Sequence, residues 1–278
     1  MRIHILHQSR YTYSQPVLLQ PHILRFRPRQ DPFQALLSHR LELTPPASTA
    51  PMIEQGGTAE RAWFEGPQSA LDIRAESVVE VSRDNPFRQW PEEWALELPL
   101  KAPLREGLPP LTELSLGPRT QALASRLLEE AKGSTQAYLA AAARALSEEV
   151  PRILRLEGPA MGPEQTLSQG TGSCRDLALL MMGLCQAQGI PARFVSGYFL
   201  EHLDRRQHQL HAWAEAWLPG AGWFGWDPSA GLACTSMHVA VCGSIHPELC
   251  SPVSGSFKGA ATSALQALVE VKGSGPLP

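Results

Sequence analysis

The sequence predicts an α+β fold, and three observations predict it. Short period-two segments run from Met1 to about Val81. Helical patterns follow, and three strand-like runs close together come after the helices.

The period-two segments are "RIHILH", "HILRFR", "SHRLEL" and "ESVVEV", with Pro, Gly and Ser clusters between them. They predict a small β sandwich, with His22, Arg25, Arg27 and Arg29 on the wet face of its strands. Residues 101–118, "KAPLREGLPPLTELSLGP", hold prolines and glycines and predict a linker. The expected division is therefore a β-rich domain over 1–110 and a second, catalytic domain over 111–278. Arg119 to Lys132 carries Leu123, Leu127 and Leu128 at helical spacing, with Gly133 as its stop. Ser134 then caps a second helix through Tyr138, Leu139, Ala142 and Leu146, which ends before Pro151. Its alanine-rich face suits close packing. Strands are expected over Ala192–Leu200, His211–Leu218 and Trp223–Asp227, and the tail "ALQALVEVKG" offers one more.

Between the helices and those strands stands "GTGSCRDLALLMMGLCQAQGIPARFVSGYF". From Leu177 to Cys185 every residue except Gly183 is apolar, so a helix here has no solvent stripe and is expected to be buried on all sides. Gly189 and Pro191 stop it. Ser173 and Asp176 are spaced as a capping box, which puts Cys174 at the first helical position. There the free backbone N–H groups and the positive end of the helix dipole stabilise a thiolate, lowering a thiol from about 8.5 toward roughly 3.5–7.5. Asp176 is expected to serve as the cap. Cys185, among Leu184 and Met181, is expected to be inert core.

A thiolate needs a base. In "HAWAEAWLPGAGWFGWDPSAG", His211, Trp213, Glu215 and Trp217 alternate with alanines, and Pro219–Gly222 forms a tight turn. The hairpin closed by that turn sets His211, which opens one strand, beside Asp227, which closes the other. The alanine face suits a covering helix, and the helix to hand is the one that begins at Cys174. Cys174 is then the candidate nucleophile, His211 the base and acid, and Asp227 the group that orients the imidazole. The Cys174 amide is a natural oxyanion donor, and Gln169 is a candidate for a second one. Arg175, Trp213 and Trp223 are candidates for a substrate groove; for Arg175 a solvated or ion-paired role, and for the tryptophans a core role, is the competing expectation.

These residues resemble the transglutaminase-like superfamily in its bacterial branch. The similarity rests on "GSCRDLALLMMGLCQAQGIPARFVSGY", "HAWAEAW" and "GWFGWDPS", and extends weakly to "YTYSQPV" and "HILRFRPR" near the start. The resemblance implies a papain-like core, a central helix packed on an antiparallel sheet, with a Cys–His–Asp triad at Cys174, His211 and Asp227. It implies acyl transfer through a thioester on a peptide or protein substrate, with no cofactor. Hydrolysis of peptide or other amide bonds is the expected outcome. Protein cross-linking through glutamyl transfer is the alternative, and an inactive binding module a third reading. Related sequences often place Arg and Asp after the glycine matched by Gly243; here Ser244 and Ile245 stand there.

Composition narrows the setting. Apolar residues at 43% and charged residues at 18% describe an ordinary globular chain. A formal charge of -3 gives no reason to expect nucleic acid or a membrane surface as partner. No stretch approaches a membrane span, and five cysteines without paired spacing suit a reducing compartment, so a cytoplasmic address is expected. Cys234, His238, Cys242, His246 and Cys250 recur every four residues, but not with paired zinc-ligand spacing, and Gly243 and Pro247 break any helix that would align them. Buried thiols near a sheet edge, and no metal, are expected there.

Overall fold

The structure, a computed structural model, describes residues 1–54, 56–88, 90–101, 109–155, 158–201 and 209–274. The first part is all β: β1 (Arg2–Leu19), β2 (His22–Leu24), β3 (Gln34–Thr44), β4 (Ser48–Glu54), β5 (Gly57–Trp63) and β6 (Pro67–Val81). Buried and exposed residues alternate along the start of β1 and the end of β6, as their period-two sequences require. The sequence pattern misses β4 and β5, whose "STAPMIE" and "GTAERAW" lack clean alternation.

Four α-helices follow among the described residues: α1 (Pro118–Glu130), α2 (Thr135–Glu149), α3 (Pro163–Gln169) and α4 (Cys174–Ala187). The Ser134 side chain caps α2 by accepting from the Ala137 amide, as its position predicts. After α4 come β7 (Ala192–Phe199), β8 (Leu210–Leu218), β9 (Gly222–Asp227), β10 (Leu232–Ala233), β11 (His238–Ser244), β12 (Val253–Ser254), β13 (Phe257–Lys258) and β14 (Ser263–Ser274).

The strands form three antiparallel sheets. In the first, β1 pairs β6 on one side and β13 and β14 on the other, and β6 pairs β3. The second runs β12-β2-β5-β4, and the third β10-β9-β8-β7-β11. Val17, Leu19, Leu24, Phe26, Leu71 and Ile73 join the first two sheets in one apolar core, which is the sandwich expected from the sequence. Its strands come from both ends of the chain: residues 253–274 complete sheets that the first 81 residues begin.

The second core surrounds α4. From Asp176 to Cys185 every residue of that helix is buried. Helices α1, α2 and α3 pack on it, and β8 offers Ala212, Ala214 and Ala216 to its other side. Each fully buried leucine in such a place contributes about 2 kcal/mol of transfer free energy. The segment read as a linker lies partly outside the described residues, but its end is held: Thr112 and the Leu114 amide both donate to the Gln186 side chain at 2.8 Å, and Gln186 donates back to the Leu114 carbonyl.

The expectation of a wet face for His22, Arg25 and Arg29 is corrected. Arg25 is 4% exposed and makes a two-pronged ion pair with Glu54, with further bonds to Ser251 and Ser254. Arg29 is paired with Glu215 of β8 and Asp31, and His22 is buried beside Phe64. Charge attraction from Glu54 and Glu215 draws the two arginines inward, and strand periodicity cannot reveal partners so far along the chain; His22 is held by packing and by its bond to the Gln20 carbonyl. No helix among the described residues is long and apolar enough to cross a membrane.

Candidate active site

Cys174 begins α4 at its first helical position, with Ser173 as N-cap. The capping box forms: the Ser173 amide donates to Asp176 at 2.7 Å and the Ser173 hydroxyl to the same oxygen at 2.6 Å. The other oxygen of Asp176 accepts from the Met161 amide at 2.7 Å and pairs with Arg155. Asp176 is therefore structural, and it fixes the loop leading to the thiol as well as the helix start.

The hairpin of β8 and β9 brings the other two residues to the thiol. In register, Trp217 faces Trp223 and Ala214 faces Trp226, which leaves Asp227 diagonal to His211. His211 Nε2 donates to Asp227 Oδ2 at 2.6 Å. The Cys174 thiol hydrogen-bonds both the His211 ring and the Ala212 amide.

Asp227 is wholly buried and fully satisfied. Its Oδ1 accepts from the Ser229 amide at 2.9 Å, the Ser229 hydroxyl at 2.8 Å and the Ala230 amide at 3.2 Å. Its Oδ2 accepts from His211 and, at 3.2 Å, from His238 Nε2. The Thr235 amide donates to His238 Nδ1, so His238 is held as the tautomer that carries its proton toward Asp227. Phe199 stacks flat on His238, ring centroids 4.2 Å apart.

The electrostatics follow from this packing. Burial alone would lift the Cys174 thiol, but the His211 hydrogen bond and charge, with the Ala212 amide, outweigh it and bring the thiol below its ordinary value. Burial alone would depress His211, yet Asp227 and the thiolate raise it to about 10. Burial also opposes the charge on Asp227, and the two imidazoles overcome that, holding it well below the usual carboxylate range. His238 moves the other way, lowered by desolvation, and stays neutral. The arrangement is a thiol held below its ordinary value against an imidazole raised above its own, backed by a buried carboxylate. Chemically it offers a nucleophile and a proton shuttle in contact.

The remaining sequence candidates fall elsewhere. Gln169 is exposed at the C-terminal end of α3. Arg175 donates to the Arg155 carbonyl at 2.8 Å, a structural bond. Trp213 is 1% exposed, packed with Val195, Cys234 and Ala240, so it braces His211 from within and presents no groove wall. Trp223 lines a separate cavity beneath Arg193. Cys185 is buried and pushed up to about 12 by desolvation, as a core thiol is expected to be. The four-residue recurrence after Cys234 disperses: Cys234 packs under Gly225, His238 serves Asp227, Cys242 faces Cys250, and His246 is exposed near Glu248. No group of three His, Cys, Asp or Glu among the described residues is placed to hold a metal ion. The sequence reading missed His238 as a partner of Asp227, along with Ser229, which follows Asp227 in "DPS". The only signal for His238 lay in a spacing that suggests metal chemistry.

Two family models match separate parts of the chain. A family model described as the transglutaminase-like superfamily matches residues 121–228. A second, the bacterial transglutaminase-like N-terminal region, matches residues 3–80. An uncharacterized protein of Mycobacterium leprae is 25% identical over 280 residues, covering 97% of this chain and 98% of its own. A protein-glutamine gamma-glutamyltransferase of Pseudomonas aeruginosa is 34% identical over 127 residues, which is 42% of this chain and 19% of that enzyme. A solved structure from Cytophaga hutchinsonii, described as that of a proposed cysteine protease, aligns over 100% of this chain and 93% of that one. Its TM-score is 0.74 at 19% identity, a likeness of fold.

Proposed function

The chain belongs to the transglutaminase-like superfamily, and within it we propose an enzyme that hydrolyses peptide or other amide bonds through a thioester on Cys174. The observation that carries this reading is the hydrogen-bonded chain from the Cys174 thiol through His211 to the buried Asp227. The Cys174 thiolate attacks the acyl carbon, and the carbonyl oxygen gathers charge beside the free amide at the start of α4. His211 gives its proton to the departing amine, leaving a thioester. It then takes a proton from water, which attacks the thioester and frees the acid and the thiolate. Asp227 keeps the imidazole in one orientation and stabilises its charged form.

Protein cross-linking is the second reading, favoured by the similarity over 127 residues to a gamma-glutamyltransferase. Both readings share the thioester, and its partition separates them. Water is the solvent, so an amine at millimolar concentration prevails only where the enzyme binds it and shields the intermediate. The experiment is to trap the acyl-enzyme from a peptide library, identify the adduct by mass spectrometry, and follow its decay with a lysine analogue present. Release of free acid, undiminished by the amine, is expected. Saturable amine incorporation that suppresses acid release would overturn hydrolysis in favour of cross-linking.

A further inference from the structure

A cavity of about 480 Å³ opens where the N-terminal sandwich meets the third sheet. Its size falls within the range of small-ligand sites, roughly 300–1,000 Å³. None of Cys174, His211 and Asp227 lines it. Along β8, Glu215 beneath the cavity lies four residues from His211, so the two sites are about 13 Å apart at ~3.3 Å per residue.

Four arginines line it, Arg27, Arg29, Arg83 and Arg193, with Phe33 and Trp223 as aromatic walls. Two carboxylates answer them. Glu215 is taken by Arg29 and by Arg193, whose Nε donates to it at 2.8 Å. Asp31 is taken by Arg29 Nε at 3.2 Å. Arg27 and Arg83 then have no carboxylate within ion-pair distance among the described residues. Arg83 lies over the Phe33 ring, 5.1 Å from its centroid, and its Nε is buried without a hydrogen-bond partner among the described residues. Gly56 and Gly57 also line the cavity, at a place where their backbone closes on β11: a Cβ would meet the Gly243 and Val241 carbonyl oxygens.

We propose that this cavity is a binding site for a small oxyanion, a molecule bearing a phosphate or carboxylate group, gripped by Arg27 and Arg83. Guanidinium forks match both groups in two-pronged geometry, and two such forks favour a ligand of more than one negative charge. The aromatic rings of Phe33 and Trp223 suit a flat or apolar body attached to the anion.

The test is calorimetric titration of the full chain with inorganic phosphate and, separately, with succinate. Saturable one-site binding of at least one is expected, and the tighter of the two identifies the anionic group. Arg27→Gln and Arg83→Gln should each weaken it about tenfold or more. Arg119→Gln, an exposed arginine on Glu164, should leave it unchanged. Crystals of the unaltered protein soaked in selenate give a reading that needs no variant: an anomalous peak between Arg27 and Arg83 is expected. No saturable heat from either anion up to about 10 mM would overturn the proposal. So would binding that survives both substitutions, or selenate confined to the outer surface.

Discussion

At the scale of single residues, Asp227 is the hinge of the electrostatics, because two imidazoles share one of its oxygens. His211 is the charged one, raised to about 10, and His238 the neutral one. Removing the carboxylate and removing its second imidazole should therefore move His211 in opposite senses. In Asp227→Asn the carboxylate charge is lost, and the His211 titration followed by NMR should fall toward its ordinary value. In His238→Phe the carboxylate loses a donor and becomes more basic, so the His211 midpoint should rise, while His238→Gln, which keeps a donor, should restore it. A midpoint indifferent to His238 would leave that residue with a packing role alone. The thiol responds to the same change. Its depression comes chiefly from His211, against a smaller opposing effect of the Asp227 charge. Asp227→Asn should thus raise the pH at which Cys174 alkylates with iodoacetamide, and lower turnover by up to about 10⁴-fold, as loss of the orienting carboxylate does in triads. In the unaltered protein Cys174 should label before Cys185 and Cys234, both of which burial pushes up. Labelling of another cysteine first would remove the basis for the nucleophile.

At the scale of elements, the site depends on how closely strands β7, β8 and β11 can approach. Gly197 on β7 pairs with His211 on β8 and with Ala240 on β11. A Cβ at Gly197 would sit 2.1 Å from the Val239 carbonyl oxygen and 2.6 Å from the Trp213 ring. Gly197→Ala should therefore displace Trp213 from behind His211, costing about 1–3 kcal/mol in urea unfolding and slowing Cys174 alkylation at neutral pH. Unchanged alkylation in a destabilised Gly197→Ala protein would show that Trp213 does not brace the imidazole. The elements that carry Cys174, His211 and Asp227 were also the most legible ones. The capping box, the unbroken apolar run of α4 and the alternation of β8 are local signals, and together with one tight turn they place Cys174, His211 and Asp227 in a single site. α3 was not legible because its seven residues, "PEQTLSQ", are too few to show a period. β11 was hidden differently: "HVAVCGS" is buried in all but its last residue, so it carries no alternation to read. The place of His238 follows from β11 pairing β7, a choice of neighbour that only the assembled sheet makes.

At the scale of the whole molecule, the sandwich and the third sheet are joined by polar contacts between segments far apart in sequence. Gln34 exchanges two bonds of 2.8 Å with the Ala240 backbone, and His7 meets the Tyr198 hydroxyl at 3.0 Å. The strongest joint is Glu215, 1% exposed on β8, held between Arg29 of the first part and Arg193 of β7. Burial opposes its charge, and the arginines overcome this and lower Glu215 to about 2. Its ordinary value is 4.5. A carboxylate depressed in this way contributes stability in full above its unfolded value, and that contribution is lost as the pH falls from about 4.5 through about 2. The difference amounts to about 3 kcal/mol. Glu215→Gln leaves Arg193 without its carboxylate and Arg29 with Asp31 alone, so at pH 7 it should cost about 3–5 kcal/mol in urea unfolding. Because the variant has no carboxylate to protonate, its stability should change less than that of the unaltered protein between pH 5 and about pH 3. Parallel pH dependence in the two proteins would mean that Glu215 is not the group whose protonation loosens this joint.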